Sequence, residues 1–229
     1  MIYITGDTHS TSDFAKLRAF PGREKLTKDD YVIIAGDFGG VWYGGSLDED
    51  VQNLYESMPF TVLFIDGNHE NFDLLNAYPV EEWHGGKIHR IKEHVLHLMR
   101  GQIYEIEGKT FFTFGGGISI DKAYRTPGRS WWPEEEPSYA ECEEALADLE
   151  AHGNKVDYVI THACPRFIMR NQLCQHHRMM EANCAAENFL DEVQNRITCD
   201  TWYFGHYHLD AYLKEFNMYA LYQDVVRCV

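Results

Sequence analysis

Val32-Ile33-Ile34-Ala35-Gly36-Asp37-Phe38-Gly39-Gly40 is the stretch on which the reading of this chain turns. Its first half is short, apolar and β-branched, the composition of a strand buried on both faces of a parallel sheet. Its second half is a glycine-rich turn with one carboxylate, Asp37, at its mouth. Open α/β sheets bind ligands in the crevice beyond the carboxyl ends of their strands. Taken alone, a carboxylate there caps the next helix or stabilises a turn. Recurrence changes that reading, because other buried runs also empty into polar turns carrying metal-ligand residues.

Upstream, Ile2-Tyr3-Ile4-Thr5 runs into Gly6-Asp7-Thr8-His9. Asp7 and His9 are two apart, so an extended segment points both side chains the same way. Ser10-Thr11-Ser12-Asp13 offers N-cap candidates for a helix through Phe14, Leu17 and Arg18. After the opening stretch, Ser46-Leu47-Asp48-Glu49 has the form of a capping box. The helix it starts carries Val51, Leu54 and Tyr55 inward, and Asp48-Glu49-Asp50 reads as a solvated first turn. Thr61-Val62-Leu63-Phe64-Ile65 then leads into Asp66-Gly67-Asn68-His69-Glu70 and a helix through Phe72, Leu74, Leu75 and Tyr78. Strand–turn–helix units at this interval predict βαβ connectivity, with parallel strands whose turns collect on one sheet edge.

Between Ile88 and Gly117 short alternating runs separated by Arg100-Gly101 and Glu107-Gly108-Lys109 predict a mostly antiparallel meander. His84, His89, His94 and His97 show no ligand spacing tied to a strand end and read as ordinary sheet or surface histidines. Residues 119–137 form a long irregular loop of the kind that often serves as a lid or binding loop. In it Arg125 and Arg129 could offer forked donors to a phosphate, and Trp131 or Trp132 a stacking face. The alternative is a loop simply pinned by its tryptophans. Ser138-Tyr139-Ala140-Glu141 resembles a capping box for an acidic helix to about His152. Val156-Asp157-Tyr158-Val159-Ile160-Thr161 is a strand that leaves His162 at its tip before Pro165. Residues 166–178 read as polar and irregular, with His176-His177 in no partner pattern, and a helix spans roughly 181–193. Thr201-Trp202-Tyr203-Phe204 ends in Gly205-His206-Tyr207-His208, and the tail from Ala211 onward reads as closing β structure.

Composition bounds the function. The 229 residues suit one domain with a substantial core, residues 1–229, carrying a substrate-side insertion around 119–137. A formal charge of −16 opposes binding to long nucleic acid, which needs Lys and Arg to displace counterions. It leaves room for a small phosphorylated substrate, since divalent metals invert the local field. No apolar run approaches the ~20 residues that span a membrane. The first strand begins at Met1-Ile2-Tyr3-Ile4, which leaves no space for a signal peptide, so the cytoplasm is the expected compartment. Cys142, Cys164, Cys174, Cys184, Cys199 and Cys228 form no C-x-x-C pair and read as free thiols acting as small hydrophobes. Oligomeric state has no signature in the sequence.

The strand ends together offer Asp7, His9, Asp37, Asn68, His69, His162, His206 and His208. Carboxylate, imidazole and amide groups without thiolate fit manganese, iron or zinc-type ions rather than a structural zinc. They are too many for one ion and suit two, ~3.5–4 Å apart, with a bridging carboxylate. Gly6-Asp7-Thr8-His9, Gly36-Asp37-Phe38-Gly39-Gly40, Gly67-Asn68-His69-Glu70, Thr161-His162 and Gly205-His206-Tyr207-His208 resemble, in order, the motifs of the calcineurin-like metallophosphoesterases. The resemblance implies an α/β fold in which two mixed sheets pack as a sandwich flanked by helices. It places Asp7, His9 and His208 on one metal, Asn68, His162 and His206 on the other, and Asp37 between them. It also implies a metal-dependent phosphohydrolase acting by in-line attack of a metal-bridging hydroxide. The two ions would be divalent transition metals, manganese foremost, with iron, zinc, nickel or cobalt as alternatives. His69 would stabilise the transition state or protonate the leaving oxygen. Protein-phosphatase members support that His with an Asp where this chain has Gly40, so Asp66 or Asp73 is the expected stand-in. Those members also carry an Arg where this chain has Asp66, which argues against a serine/threonine protein phosphatase. Nuclease and phosphoprotein phosphatase remain alternatives, with a non-catalytic scaffold behind them.

Overall fold

The computed structural model describes residues 1–173 and 183–229. In chain order its strands are β1 (Ile2–Thr5), β2 (Tyr31–Ile34), β3 (Thr61–Phe64), β4 (Val80–Trp83), β5 (Gly86–Lys92), β6 (Val95–Leu98) and β7 (Gln102–Ile106). They continue as β8 (Lys109–Phe114), β9 (Tyr158–Thr161), β10 (Thr201–Phe204), β11 (Ala211–Leu213), β12 (Met218–Ala220) and β13 (Val225–Arg227). The helices are α1 (Lys16–Ala19), α2 (Ser46–Glu56), α3 (Phe72–Leu75), α4 (Tyr139–Ala151), α5 (Arg166–Ile168) and α6 (Ala185–Arg196).

One sheet has seven strands in the order β13-β1-β2-β3-β6-β5-β4, the other six in the order β11-β12-β10-β9-β8-β7. The strands β1, β2, β3 and β6 run parallel, as do β8, β9, β10 and β12. Their side chains alternate between two buried faces, which is why the sequence shows apolar runs rather than a polar stripe. Ile2, Ile4, Ile33, Leu63 and Ile65 point between the sheets and meet Tyr104, Phe111, Ile160 and Tyr203 of the other sheet. Val32, Ile34, Val62 and Phe64 point outward against Phe14, Leu17 and Tyr55. On the far side Phe112, Phe114, Val159, Trp202 and Phe204 pack on Ala145, Leu149, Phe189, Leu190 and Val193. The result is the expected α/β sandwich, helices outside and two mixed sheets within.

Several local expectations need correction. The meander is divided, because β5–β6 belong to the first sheet and the β7–β8 hairpin to the second. Strand β4 was not anticipated; its Val80 and Glu82 are exposed, so it lacks the apolar signal of a core strand. The helix after β1 is a single turn, α1. Helix α2 starts at Ser46 with Gly45 as its N-cap and no side-chain cap, so the predicted box does not form there. The box at Ser138 and Glu141 does form. Residues 166–173 are helical rather than irregular. Cys174, His176, His177 and the predicted start of the next helix at Glu181 lie outside the described residues, and that helix is seen as Ala185–Arg196.

Candidate metal centre

The turns that follow β1, β2, β3, β9 and β10 converge. Thr8 and His9 donate their N–H groups to the carbonyl of Asp37 at 3.1 and 2.8 Å, and the N–H of His69 donates to Asp37 Oδ1 at 2.8 Å. The N–H of His206 donates to both carboxylate oxygens of Asp7, at 3.0 and 3.1 Å. Four of the sequence-chosen residues, His9, Asp37, His206 and His208, have positive φ, at 43°, 52°, 69° and 51°. Non-glycine residues rarely adopt this conformation, and it persists where the surroundings over-determine it, most often at functional sites.

The side chains of this cluster are electron-rich toward one another. Nδ1 of His162 lies 2.8 Å from the carbonyl of Ala35, which can only accept, so Nδ1 carries hydrogen and, in the neutral ring that a metal ligand must be, Nε2 presents a lone pair. That lone pair faces Asn68 Oδ1 at 3.1 Å and Asp37 Oδ1 at 3.4 Å. Asn68 Nδ2 donates to Ser119 Oγ at 3.1 Å, which turns the amide oxygen toward the centre. His9 repeats the arrangement, with Nδ1 at 2.8 Å from Asp13 Oδ2 and Nε2 at 3.3 Å from Asp37 Oδ2. A cation is what reconciles such facing acceptors, and a carboxylate behind an imidazole is the usual support of a metal-ligating histidine.

Among the described residues, ligand-type atoms within 4.8 Å of one another form three groups; two are built at this centre, His9, Asp37 and His208, and Asp7, Asp37 and His162, and the third is Glu56, Glu93 and His94. Asp37 belongs to both groups at the centre. Asp7 Oδ1 is 3.4 Å from His162 Nδ1, so in this geometry Asp7 sits with His162 and not only beside His9. The ring of His206 is 4.8 Å from that of His162, and the ring of His208 4.9 Å from that of His9.

Titration directions show the same demand for positive charge. Burial, with the charge of Asp37, pushes the Asp7 carboxyl up to about 6 against the pull of His162. For Asp37 burial works the same way, but the charges of His162 and His9 outweigh it and hold the carboxyl well below its usual range. Burial lowers His9, yet the carboxylates of Asp37 and Asp13 raise it to about 9. Burial, then His162, pushes His206 down to about 3.

Several supporting residues escaped the sequence reading. Asp13, taken as a capping candidate, is the partner of His9; the signal was its i,i+4 spacing from that residue. Buried Lys16 donates to the carbonyls of Gly6 at 3.0 Å and Asp7 at 2.6 Å, and to that of Tyr222, pinning the first turn. Glu70 Oε1 accepts the N–H groups of Phe38 at 2.7 Å and Gly39 at 3.4 Å. Burial, then the charge of Asp37, pushes its carboxyl well above the usual range, while the two N–H groups it accepts clamp the Asp37 turn.

The expected support for His69 is absent. Asp66 Oδ2 is held by Arg100 at 2.8 and 2.6 Å, and its Oδ1 lies 3.3 Å from His97 Nε2. Asp73 accepts the indole N–H of Trp132 at 2.7 Å. Instead an N–H of Arg125 lies 3.4 Å from His69 Nδ1. His89 in β5 and His97 in β6 are sheet histidines, as expected, but both are buried, with their Nδ1 atoms 3.1 Å apart. Asp48, read as solvated, is only 5% exposed and accepts three backbone N–H groups. A cleft of about 510 Å³ runs over the centre, lined by residues including Asp37, Asn68, His69, Ile118, Arg125 and His206. Arg125 lines it, whereas Arg129 is exposed outside it.

Against this geometry, a family model described as calcineurin-like phosphoesterase matches residues 1–210. The chain belongs to the calcineurin-like phosphoesterase family. Membership makes it a metal-dependent phosphoester hydrolase in general terms, and the two groups sharing Asp37 fit the divalent ions that this family uses. No curated protein matches the sequence. Among solved structures, the protein of unknown function AQ665 from Aquifex aeolicus is 16% identical, with 87% of each chain covered and a TM-score of 0.35. That likeness is too weak to bear on function. Among the described residues, no helix is long and apolar enough to cross a membrane.

Proposed function

We propose that this calcineurin-like phosphoesterase hydrolyses a phosphomonoester or phosphodiester of a small substrate, nucleotides included, at a pair of divalent transition-metal ions. The observation that carries this reading is the convergence of His162 Nε2, Asn68 Oδ1 and the Asp37 carboxylate, acceptors that face one another. In this reading Asp7, His9 and His208 hold one ion, Asn68, His162 and His206 the other, and Asp37 is shared. Manganese is the metal proposed first, with iron, zinc, nickel and cobalt as alternatives for such a donor set. The bound ions would supply Lewis-acid charge and an activated water for in-line attack on phosphorus.

The chain's own groups then position and protonate. His69 is fixed over Asp37 through its backbone N–H. With an Arg125 N–H directed at Nδ1, the ring carries its hydrogen on Nε2, a donor for a phosphoryl or leaving oxygen. Arg125, itself tied to Asp121 Oδ1 at 2.8 Å, is the substrate-side cation of the cleft. Arg129 remains a proposed phosphate contact of lesser weight, since it is exposed beyond the cleft lining. The charge of −16 favours a small partner over a nucleic acid, which sets the nuclease reading second, and Asp66 sets phosphoprotein phosphatase behind it. Free thiols at Cys142, Cys164, Cys184, Cys199 and Cys228 suit a reducing compartment, so the cytoplasm is the proposed location.

Hydrolysis of bis-p-nitrophenyl phosphate and p-nitrophenyl phosphate with each metal tests this. Turnover is expected to need metal, and Asp37→Asn should lower it by about a hundredfold or more. No turnover with any of these metals would replace the enzyme with a scaffold. Equal turnover in Asp37→Asn would remove that residue from the centre.

A further inference from the structure

Two recesses share His69 in their linings. The larger is the cleft of about 510 Å³, whose lining also includes Ile118 and Ile120. The smaller, about 170 Å³, is lined by His9, Ser10, Gly39, Trp42, Tyr43 and His69. It falls short of the ~300 Å³ at which independent ligand pockets begin, and it shares His69 with the cleft, so it is an annex to it.

The annex has a built wall. The buried carboxylate of Asp48 accepts the backbone N–H groups of Trp42 at 2.7 Å, Tyr43 at 3.0 Å and Gly44 at 2.8 Å. Asn71 adds two bonds, its side chain donating to the Trp42 carbonyl at 2.8 Å and its N–H to that of Val41 at 3.1 Å. Trp42 stands edge-on to Trp132 with ring centres 5.3 Å apart, and Asp73 holds Trp132 through its indole N–H. Burying a carboxylate is costly unless it is fully bonded. Here it immobilises a loop whose tip, Tyr43, is 73% exposed. Folding gains little from that phenol ring. An exposed aromatic ring on a backbone anchored this way, beside a reaction centre, is instead the form of a ligand wall, since aromatic rings present contact area at low entropic cost.

We propose that Trp42 and Tyr43 form a subsite for a flat aromatic or heterocyclic substituent on the phosphorus, and that the preferred substrate is a phosphodiester. Phosphorus sits below His69, the ring-bearing arm enters the Trp42–Tyr43 annex, and the second arm follows Ile118 and Ile120. A monoester would leave one recess empty. This rests on the hydrolase reading and narrows it to diesters.

Two measurements test it with the full chain and Mn²⁺. Native protein should bind phenylphosphonate about tenfold more tightly than methylphosphonate, the scale of one good aromatic contact, read by tryptophan fluorescence. Tyr43→Ala and Trp42→Ala should each reduce that preference toward parity. In turnover of bis-p-nitrophenyl phosphate, Tyr43→Ala should raise KM several-fold, about the same aromatic contribution, with kcat and inhibition by inorganic phosphate unchanged. Unchanged KM and unchanged aryl preference in both variants would overturn the subsite. Loss of phosphate inhibition together with aryl binding would also overturn it, by showing a disturbed centre. If the native protein binds phenylphosphonate preferentially through Tyr43 but hydrolyses neither ester, the subsite stands and the hydrolase reading falls.

Discussion

A methyl group added at Gly36 would lie 2.0 Å from Nδ1 of His162, and one at Gly67 would lie 2.1 Å from Oδ1 of Asp37. At these two positions backbone and candidate ligands occupy the same shell of space. Gly36 also has a φ of +91°, where any side chain is strained. Gly36→Ala should therefore cost about 3 kcal/mol from overpacking and backbone strain together. Urea unfolding and metal titration check this: lower stability with weakened metal binding is expected, and wild-type values in both would refute the close-packing account. At this scale the sequence was informative about which residues are candidate ligands, because Asp, Asn and His at strand ends are conspicuous among apolar neighbours. It said little about their supports. Asp13 is marked only by its i,i+4 spacing from His9, and Lys16 and Glu70 resemble any polar residue of a turn or helix until the chain folds back on them.

Strand joins and loop anchors belong to the scale of elements. Asp157, just before β9, accepts from the Thr110 N–H at 2.8 Å and hydroxyl at 2.9 Å and from Lys109 Nζ at 2.9 Å, tying β9 to the start of β8. The Thr110 N–H, with Lys109, holds its carboxyl at about 2, below the ordinary 3.8. A depressed carboxyl stabilises above its unfolded value and loses that contribution as pH falls through its folded one. Asp157 keeps 27% of its side chain in contact with solvent, so the effect is screened to about 1 kcal/mol. Asp157→Asn should be less stable than wild type at neutral pH, with the gap closing as pH falls from about 4 to about 2; a gap independent of pH would contradict this. Arg100, in the β6–β7 turn where the chain passes between sheets, is buried on Asp66 and also donates to the Glu134 carbonyl at 2.8 Å. Arg100→Ala removes the guanidinium that neutralises buried Asp66 and leaves His97 as its remaining side-chain partner, at an expected cost of about 3–5 kcal/mol in denaturant unfolding. Sequence patterning located most strands, since their apolar runs mark two-sided burial. It could not show that β6 and β7 part into different sheets, because hairpin texture is identical whichever partner a strand finds.

For the whole molecule, the two sheets bring residues as distant in sequence as Asp7 and His206 into hydrogen-bond contact at 3.0 Å. A cluster of facing acceptors is a folding liability that bound cations relieve. Metal that binds only the native state stabilises by mass action, about 2.7 kcal/mol at a hundred times Kd. Thermal melts should therefore shift upward with Mn²⁺ and back with chelator, and Asp37→Asn should lose most of the shift. An equal shift in that variant would place the metal elsewhere. The sequence by itself determined the α/β class, the strand-end positions of the candidate ligands and the family motifs, because period, glycine turns and ligand types are local properties of the chain. Only the tertiary structure decided that Arg125 rather than a carboxylate faces His69, that Asp48 is buried under the Trp42–Tyr43 loop, and that Asp37 stands within reach of both ligand groups. Those are distances between segments remote in sequence, and closure of the two sheets sets them.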